Sequence, residues 1–309
     1  MTAATSTLTA AEFDALFHEV SNWDRWGDQS ARGTLNYVTP DRVVAAARLV
    51  TAGISVSLSL PVDSDKRPDN PVPAQHRMTQ LADGTSNHEQ FIKDFVGSDF
   101  HNDGHSHLDA LCHVSYHGKL FTGVPDSSAT EDGAAVGDVS VLASGIVGRG
   151  VLLDIPRLHG VSWEEPGDQV TADELVAAER AQQVLVGPGD LLFVRLGHNR
   201  RLAELGPWDT TREKAGLHPT AARLLNERRI AILGSDTNSD AAPSTTEGVP
   251  FPIHVLAINA MGLFLLDYLE LGYLAATCER LGRWEFLCVV APLRVPHGTG
   301  SPVNPVAVF

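Results

Sequence analysis

The seventeen residues from His101 to His117 limit most tightly what this chain can fold into. HNDGHSHLDALCHVSYH holds five of the 13 histidines and two aspartates. Imidazoles and carboxylates crowded in this way are the donors that hold divalent cations. His101, Asp103, His105, His107 and Asp109 stand at odd positions, so an extended strand would turn them all to one face. His101, His105, Asp109, His113 and His117 also recur at every fourth residue, which on a helix makes one stripe. Neither period can hold throughout. Five alternate strand positions span roughly 26 Å at ~3.3 Å per residue, and an ion with bonds of ~2 Å cannot gather donors spread so far. The segment has to bend, and Gly104 is the residue that permits it.

Around this segment lies an ordinary globular chain. Its 309 residues, 43% of them hydrophobic, supply a sizeable core. No linker or repeat divides it, so a single domain over 1–309 is expected. A net charge of −15, with 23 Lys and Arg against 38 acids, argues against a nucleic-acid surface. Cys112, Cys278 and Cys288 lack zinc-type spacing, and their odd number fits a reducing cytoplasm. The start, MTAATSTLTAAEF, has no secretory pattern. The longest apolar run, Ile253 to Leu266, is interrupted by His254 and Asn259 and is too short for a bilayer, so no membrane role is expected. The expected partner is a small-molecule substrate.

Read in order, Thr9 to Phe17 predicts a helix, and the Trp23 to Gly33 region either a cover for the core or the wall of an aromatic pocket. Thr39-Pro40-Asp41 opens a second helix with a hydroxyl cap and an apolar face of Val43, Val44, Ala47 and Val50. Ile54 to Leu60 alternates as a half-buried strand. Pro61 to Asn87 reads as a long loop, a candidate lid, and Phe91 to Phe100 as a strand entering the histidine segment. Strands follow at Ile146 to Ile155, Asp190 to Leu196, Ile230 to Gly234 and Glu285 to Leu293. Helices follow at Thr171 to Gln182, with a capping box, and at Pro219 to Arg228. Ile253 to Leu271 is a buried strand or helix. Mixed elements with polar loops at strand ends predict an α/β fold.

The chemistry centres on His107-x-Asp109-x-x-x-His113. His107 and Asp109, at i and i+2, can converge on a borderline cation, and His113 lies one helical turn further on. The first two suit metal ligands and His113 suits a base. The expected metal is Zn or Mn, which lowers the pKa of bound water towards ~7 and polarises a carbonyl, while a neighbouring imidazole shuttles the proton. A histidine-rich surface loop is the bland alternative.

The segment resembles the signature of the metal-dependent cyclase-like hydrolases, the family of bacterial kynurenine formamidase and isatin hydrolase, whose pattern is H-x-G-T-H-x-D-x-P-x-H. Ser106-His107-Leu108-Asp109 is similar to T-H-x-D, His113 matches the last His, and Leu111 replaces the Pro. The likeness continues at Gly150 to Asp154, Gly187-Pro188-Gly189-Asp190, Gly234-Ser235-Asp236-Thr237 and Gly300-Ser301-Pro302-Val303, so it runs from about Trp23 to Phe309. Where the family has its first His this chain has Asp103, and where the family has Gly it has His105. The first ligand is therefore expected at His105, ahead of His101 and Asp103. The resemblance also implies a distant histidine, His254, as a metal ligand, and an acidic residue in the region of Asp267. Asp236 and Asp240 either support the site or cap a turn.

What the resemblance implies is a mixed-sheet α/β fold of swivelling β/β/α type and a homo-oligomer, dimer or tetramer. The implied activity is metal-dependent hydrolysis of an amide or lactone of a small, possibly aromatic molecule. A binding protein decayed from the same scaffold, or a metal-dependent lyase or isomerase, are the alternatives. The Pro61 to Asn87 loop and the tryptophan region are the expected substrate contacts.

Overall fold

A computed structural model describes residues 7–85 and 88–309. The strands used below are β1 (Ser55–Ser57), β2 (Gln75–Gln80), β3 (Lys93–Gly97), β4 (His107–Asp109), β5 (Ile146–Asp154), β6 (Leu191–Arg195), β7 (Ile232–Ser235), β8 (Phe264–Asp267), β9 (Glu285–Val290), β10 (Gly300–Pro302) and β11 (Val306–Val308). Of these, nine form one sheet in the order β1-β11-β9-β5-β6-β7-β8-β4-β10. The central β5, β6, β7 and β8 run parallel, and every other pairing within this sheet is antiparallel. The parallel strands are the continuous apolar runs that burial on both faces demands. Leu191 to Val194, Ile232 to Leu233 and Phe264 to Leu266 are all buried. Between them lie the helices Ile155–His159, Ala172–Gln182, His198–Leu205 and Ala221–Arg228, the crossovers that parallel pairing needs. The fold is mixed α/β, as the alternation of elements predicts.

Thr9 caps the first helix, Ala10–Val20, and Thr171 caps Ala172–Gln182, each through a complete capping box. Pro40–Ala47 forms as expected, but Thr39 gives it no side-chain hydrogen bond. Its inward face is also different. Ala46 is buried while Val44 and Val50 are exposed, so the helix packs through the Val43, Ala46 and Leu49 stripe instead. The tryptophan region covers the core: Trp23 packs edge-on to Phe17 and donates its indole N–H to the Asn259 carbonyl at 2.7 Å.

The largest departure is in the expected loop. Its residues 86 and 87 lie outside the described residues, but Gln75–Gln80 forms β2 and pairs antiparallel with β3, within the expected Phe91 to Phe100 strand. This hairpin is separate from the main sheet. Its alternation carries no burial signal because both faces are solvent-exposed. Among the described residues, no helix is long and apolar enough to cross a membrane.

Candidate metal centre

The odd-numbered run of the histidine segment survives as a strand only at β4, which is enough to turn His107 and Asp109 to the same face. β4 lies between β8 and β10, with His107 opposite Asp267 and Pro302, and Asp109 opposite Leu265 and Gly300. Register alone thus brings the distant Asp267 to the histidine segment. From residue 101 to 105 the chain turns, and Gly104 is needed there for space: a Cβ would sit 2.3 Å from Asn70 Oδ1. Gly300 serves likewise, since a Cβ there would come within 2.8 Å of the His101 ring. The step from Asp109 to His113 is a turn closed by the His113 N–H on the Ala110 carbonyl, not a helix.

Asp109 is completely buried, and among the described residues neither of its oxygens has an aligned hydrogen-bond donor. Imidazole nitrogens surround it instead. His101 Nδ1 lies 2.9 Å, His107 Nε2 3.5 Å and His113 Nε2 4.0 Å from Oδ1, and His254 Nε2 lies 3.4 Å from Oδ2. Asp267 Oδ2 is 3.3 Å from His254 Nε2 and 3.8 Å from His107 Nε2, and its other oxygen is buried without a partner. The outer nitrogens are anchored. His101 Nε2 meets the Thr299 hydroxyl at 3.0 Å, His107 Nδ1 the His105 carbonyl at 2.8 Å, and His254 Nδ1 the Asp240 carboxylate at 2.6 Å. Rings fixed at one nitrogen while the other faces a shared point are the arrangement of metal-ligating histidines. Two triplets, His101, Asp109, His113 and His107, Asp109, Asp267, each bring donor atoms within 4.8 Å of one another. Mixed imidazole and carboxylate donors suit a divalent cation.

Burial opposes charge throughout this cluster, and the outcome differs by residue. Burial pushes the Asp109 carboxyl up, but His113, His101, His254 and His107 together hold it well below the usual carboxylate range. Burial pushes His254 down, and the facing carboxylates of Asp109, Asp240 and Asp267 outweigh it, so its imidazolium persists well above the ordinary range. For His113 burial wins over the pull of Asp109 and brings the imidazole down to about 4. His113 stacks flat on His101, with centroids 3.9 Å apart and planes 5° from parallel.

His107, Asp109, His113 and His254 therefore meet as the sequence predicts, and His105 does not. Its Nε2 faces the Val72 carbonyl at 3.1 Å, and the place beside Asp109 belongs to His101. Odd-numbered spacing favours His105 only while the chain is extended, and the turn at 101–105 removes that premise. His117 is peripheral, paired with Asp14 at the surface. Asp236 caps a turn by accepting the N–H groups of Leu196, Gly197 and His198, whereas Asp240 supports the site through His254.

Asp103 leaves the cluster for a second network that the sequence does not announce. Its carboxylate accepts from the Thr210 hydroxyl at 2.5 Å and lies 3.7 Å from Lys214 Nζ, and Lys214 donates to the Tyr268 hydroxyl at 3.0 Å. Lys214 is only 2% exposed, and among the described residues Asp103 is the carboxylate within 4.0 Å of its ammonium. Removing one partner of such a pair strands the other. Asp103→Ala is expected to destabilise the fold by about 3–5 kcal/mol, and the double variant with Lys214→Met to recover most of that, as read by urea unfolding.

The cluster forms the floor of a cleft of about 470 Å³. Val114, Tyr116, Val249, Pro250 and Phe251 supply its apolar wall, and Asn238 also lines it. The tryptophan region contributes no lining residue. A carboxylate ringed by imidazoles beneath an apolar cleft at the carboxyl ends of parallel strands defines a mixed α/β protein with a candidate metal pocket. A family model described as "Putative cyclase" matches residues 2–241, most of the chain. The chain belongs to this cyclase family. A crystal structure described as a novel cyclase is 31% identical, with a TM-score of 0.84, covering 94% of this chain and 99% of that one. The isatin hydrolase of Roseibium aggregatum is 28% identical over 154 residues, 48% of this chain and 55% of that enzyme. The chain thus matches about half the length of this curated relative. Isatin hydrolase A from Labrenzia aggregata, bound to benzyl benzoate, shares the fold at a TM-score of 0.60 and 20% identity, covering 86% of this chain and 97% of that one.

Proposed function

We propose that the protein is a metal-dependent hydrolase that opens an amide or lactone of a small aromatic molecule. The observation that carries this reading is Asp109: a buried carboxylate with two unpartnered oxygens, ringed by imidazoles whose outer nitrogens are tied down. Its donors suit a divalent cation, Zn or Mn, held by His101, His107, Asp109 and His254 with Asp267 alongside. When bound, such a cation lowers the pKa of water and polarises a carbonyl oxygen. His113, kept neutral at pH 7 by burial, takes a proton from the attacking water and returns it to the leaving nitrogen or oxygen. One C–O bond forms, the C–N or ester C–O bond breaks, and a carboxylate results. Stacking on His101 fixes the His113 ring plane, and the Val249, Pro250 and Phe251 wall seats an aromatic ring away from bulk water.

The same reading places one cytoplasmic domain in a homo-oligomer. Three unpaired buried cysteines fit a reducing compartment. The hairpin of β2 and β3, with Phe91, Ile92 and Val96 exposed, is the apolar arm through which a second copy would pack.

Protein purified without chelator is expected to carry Zn or Mn and to hydrolyse at least one of isatin, N-formylkynurenine or a simple aryl lactone. EDTA should abolish the activity and the metal restore it. A metal-free protein indifferent to both ions would sink the reading.

A further inference from the structure

Asn238 sits in a loop whose neighbouring carboxylates are committed to the fold. Asp236 accepts three backbone N–H groups, and Asp240 accepts from the Ile253 and His254 N–H groups and grips the His254 ring. The Thr237 hydroxyl accepts the Ser239 N–H. The Asn238 side chain, by contrast, has no hydrogen-bond partner among the described residues, although it is only 8% exposed. Its Oδ1 is buried, and the residue lines the same cleft as His254, Asp267, Tyr268 and Phe251. A carboxamide offers two N–H donors and an acceptor, and leaving one idle in a buried position calls for a ligand to explain it. With the oxygen turned inward, the NH2 end is what remains for the cleft. The lining includes no Lys or Arg to compete for an acceptor.

We infer that Asn238 is a specificity-determining residue, whose Nδ2 donates a hydrogen bond to a substrate oxygen other than the carbonyl undergoing attack. The attacked carbonyl belongs over the Asp109 cluster, so the amide is available for a second acceptor. The preferred ligands are then small aryl compounds with two neighbouring acceptor groups. This rests on the hydrolase reading for the ligand's identity, and binding can be measured without turnover.

The trial uses the metal-loaded protein and two stable ligands, titrated calorimetrically. One is isatinate, which keeps a ketone beside its carboxylate; the other is 2-aminophenylacetate, which lacks that ketone. Wild type is expected to bind isatinate roughly tenfold tighter, the value of one buried neutral hydrogen bond. Asn238→Ala should lose that tenfold for isatinate and leave 2-aminophenylacetate unchanged, while Asn238→Ser, which keeps a donor, should recover part of it. Unchanged thermal midpoints and metal content show that the variants fold. If Asn238→Ala weakens both ligands alike or neither, or if wild type binds neither, the inference is overturned. If the discrimination behaves as expected but wild type turns over no amide or lactone, the hydrolase reading fails and this assignment stands.

Discussion

Asp109→Asn is expected to remove metal and turnover together, by the largest margin of any single substitution in the chain. Every other member of the cluster faces this carboxylate, and among the described residues no backbone or hydroxyl donor satisfies its two oxygens. Replacing one oxygen by NH2 subtracts the negative charge and turns a donor towards imidazoles that need an acceptor. Loss of a Lewis acid worth several kcal/mol predicts a rate drop of at least about a thousandfold. Asp240→Asn calibrates the effect: Asp240 holds His254 by its outer ring nitrogen and accepts the backbone N–H groups of Ile253 and His254 without facing the shared point, and partners of that kind cost roughly 10–100-fold in metal affinity. Asp109→Asn should exceed it in a competition titration against a chromogenic chelator. The pH dependence has a definite sign. Despite burial, Asp109, Asp240 and Asp267 keep His254 protonated well above the ordinary imidazole range, and a cation at Nε2 must displace that proton. Affinity should therefore fall as pH is lowered, and binding should release protons. An Asp109→Asn protein that keeps wild-type metal content would refute this account of the centre.

How much of the site was legible depended on whether a local period survived folding. His107 and Asp109 share a face because β4 is a strand, and the two-residue step is intrinsic to that conformation. His101 carries no such local signal, since its position follows from a turn held by contacts distant in sequence: Asn70 against Gly104, and Thr299 and Gly300 against the His101 ring. Asp267 and Asp240 reach the site through sheet register and a loop, and no local pattern near them carries that information. Lys214 and Asn238 had no signal at all, because a lone lysine or asparagine reads as surface until its burial is known. For the fold, the parallel strands were plain as apolar runs, whereas the β2–β3 hairpin was hidden because exposure on both faces removes the alternation on which strand recognition rests.

His113 tests how the cluster divides its labour. Its Nε2 is the farthest of the four imidazole nitrogens from Asp109, at 4.0 Å, and its ring is the most open to the cleft, 28% exposed against 0% for the carboxylate it faces. His101, His107 and His254 each have an outer nitrogen tied to a named partner, whereas the His113 ring has no hydrogen bond among the described residues and is held by ring contacts with His101 and His254. A ring held by its face leaves both nitrogens free to exchange a proton, and burial keeps it neutral above pH 4, so it is ready to accept one. His113→Gln is therefore expected to lower kcat by about 10²–10⁴, the range for a lost general base, with metal content unchanged. The same spacing also admits His113 as a third donor with His101 and Asp109, and the metal assay separates the roles. Loss of a stoichiometric ion in His113→Gln would make it a ligand. Retention of the ion with kcat unchanged would leave the proton transfer to another group.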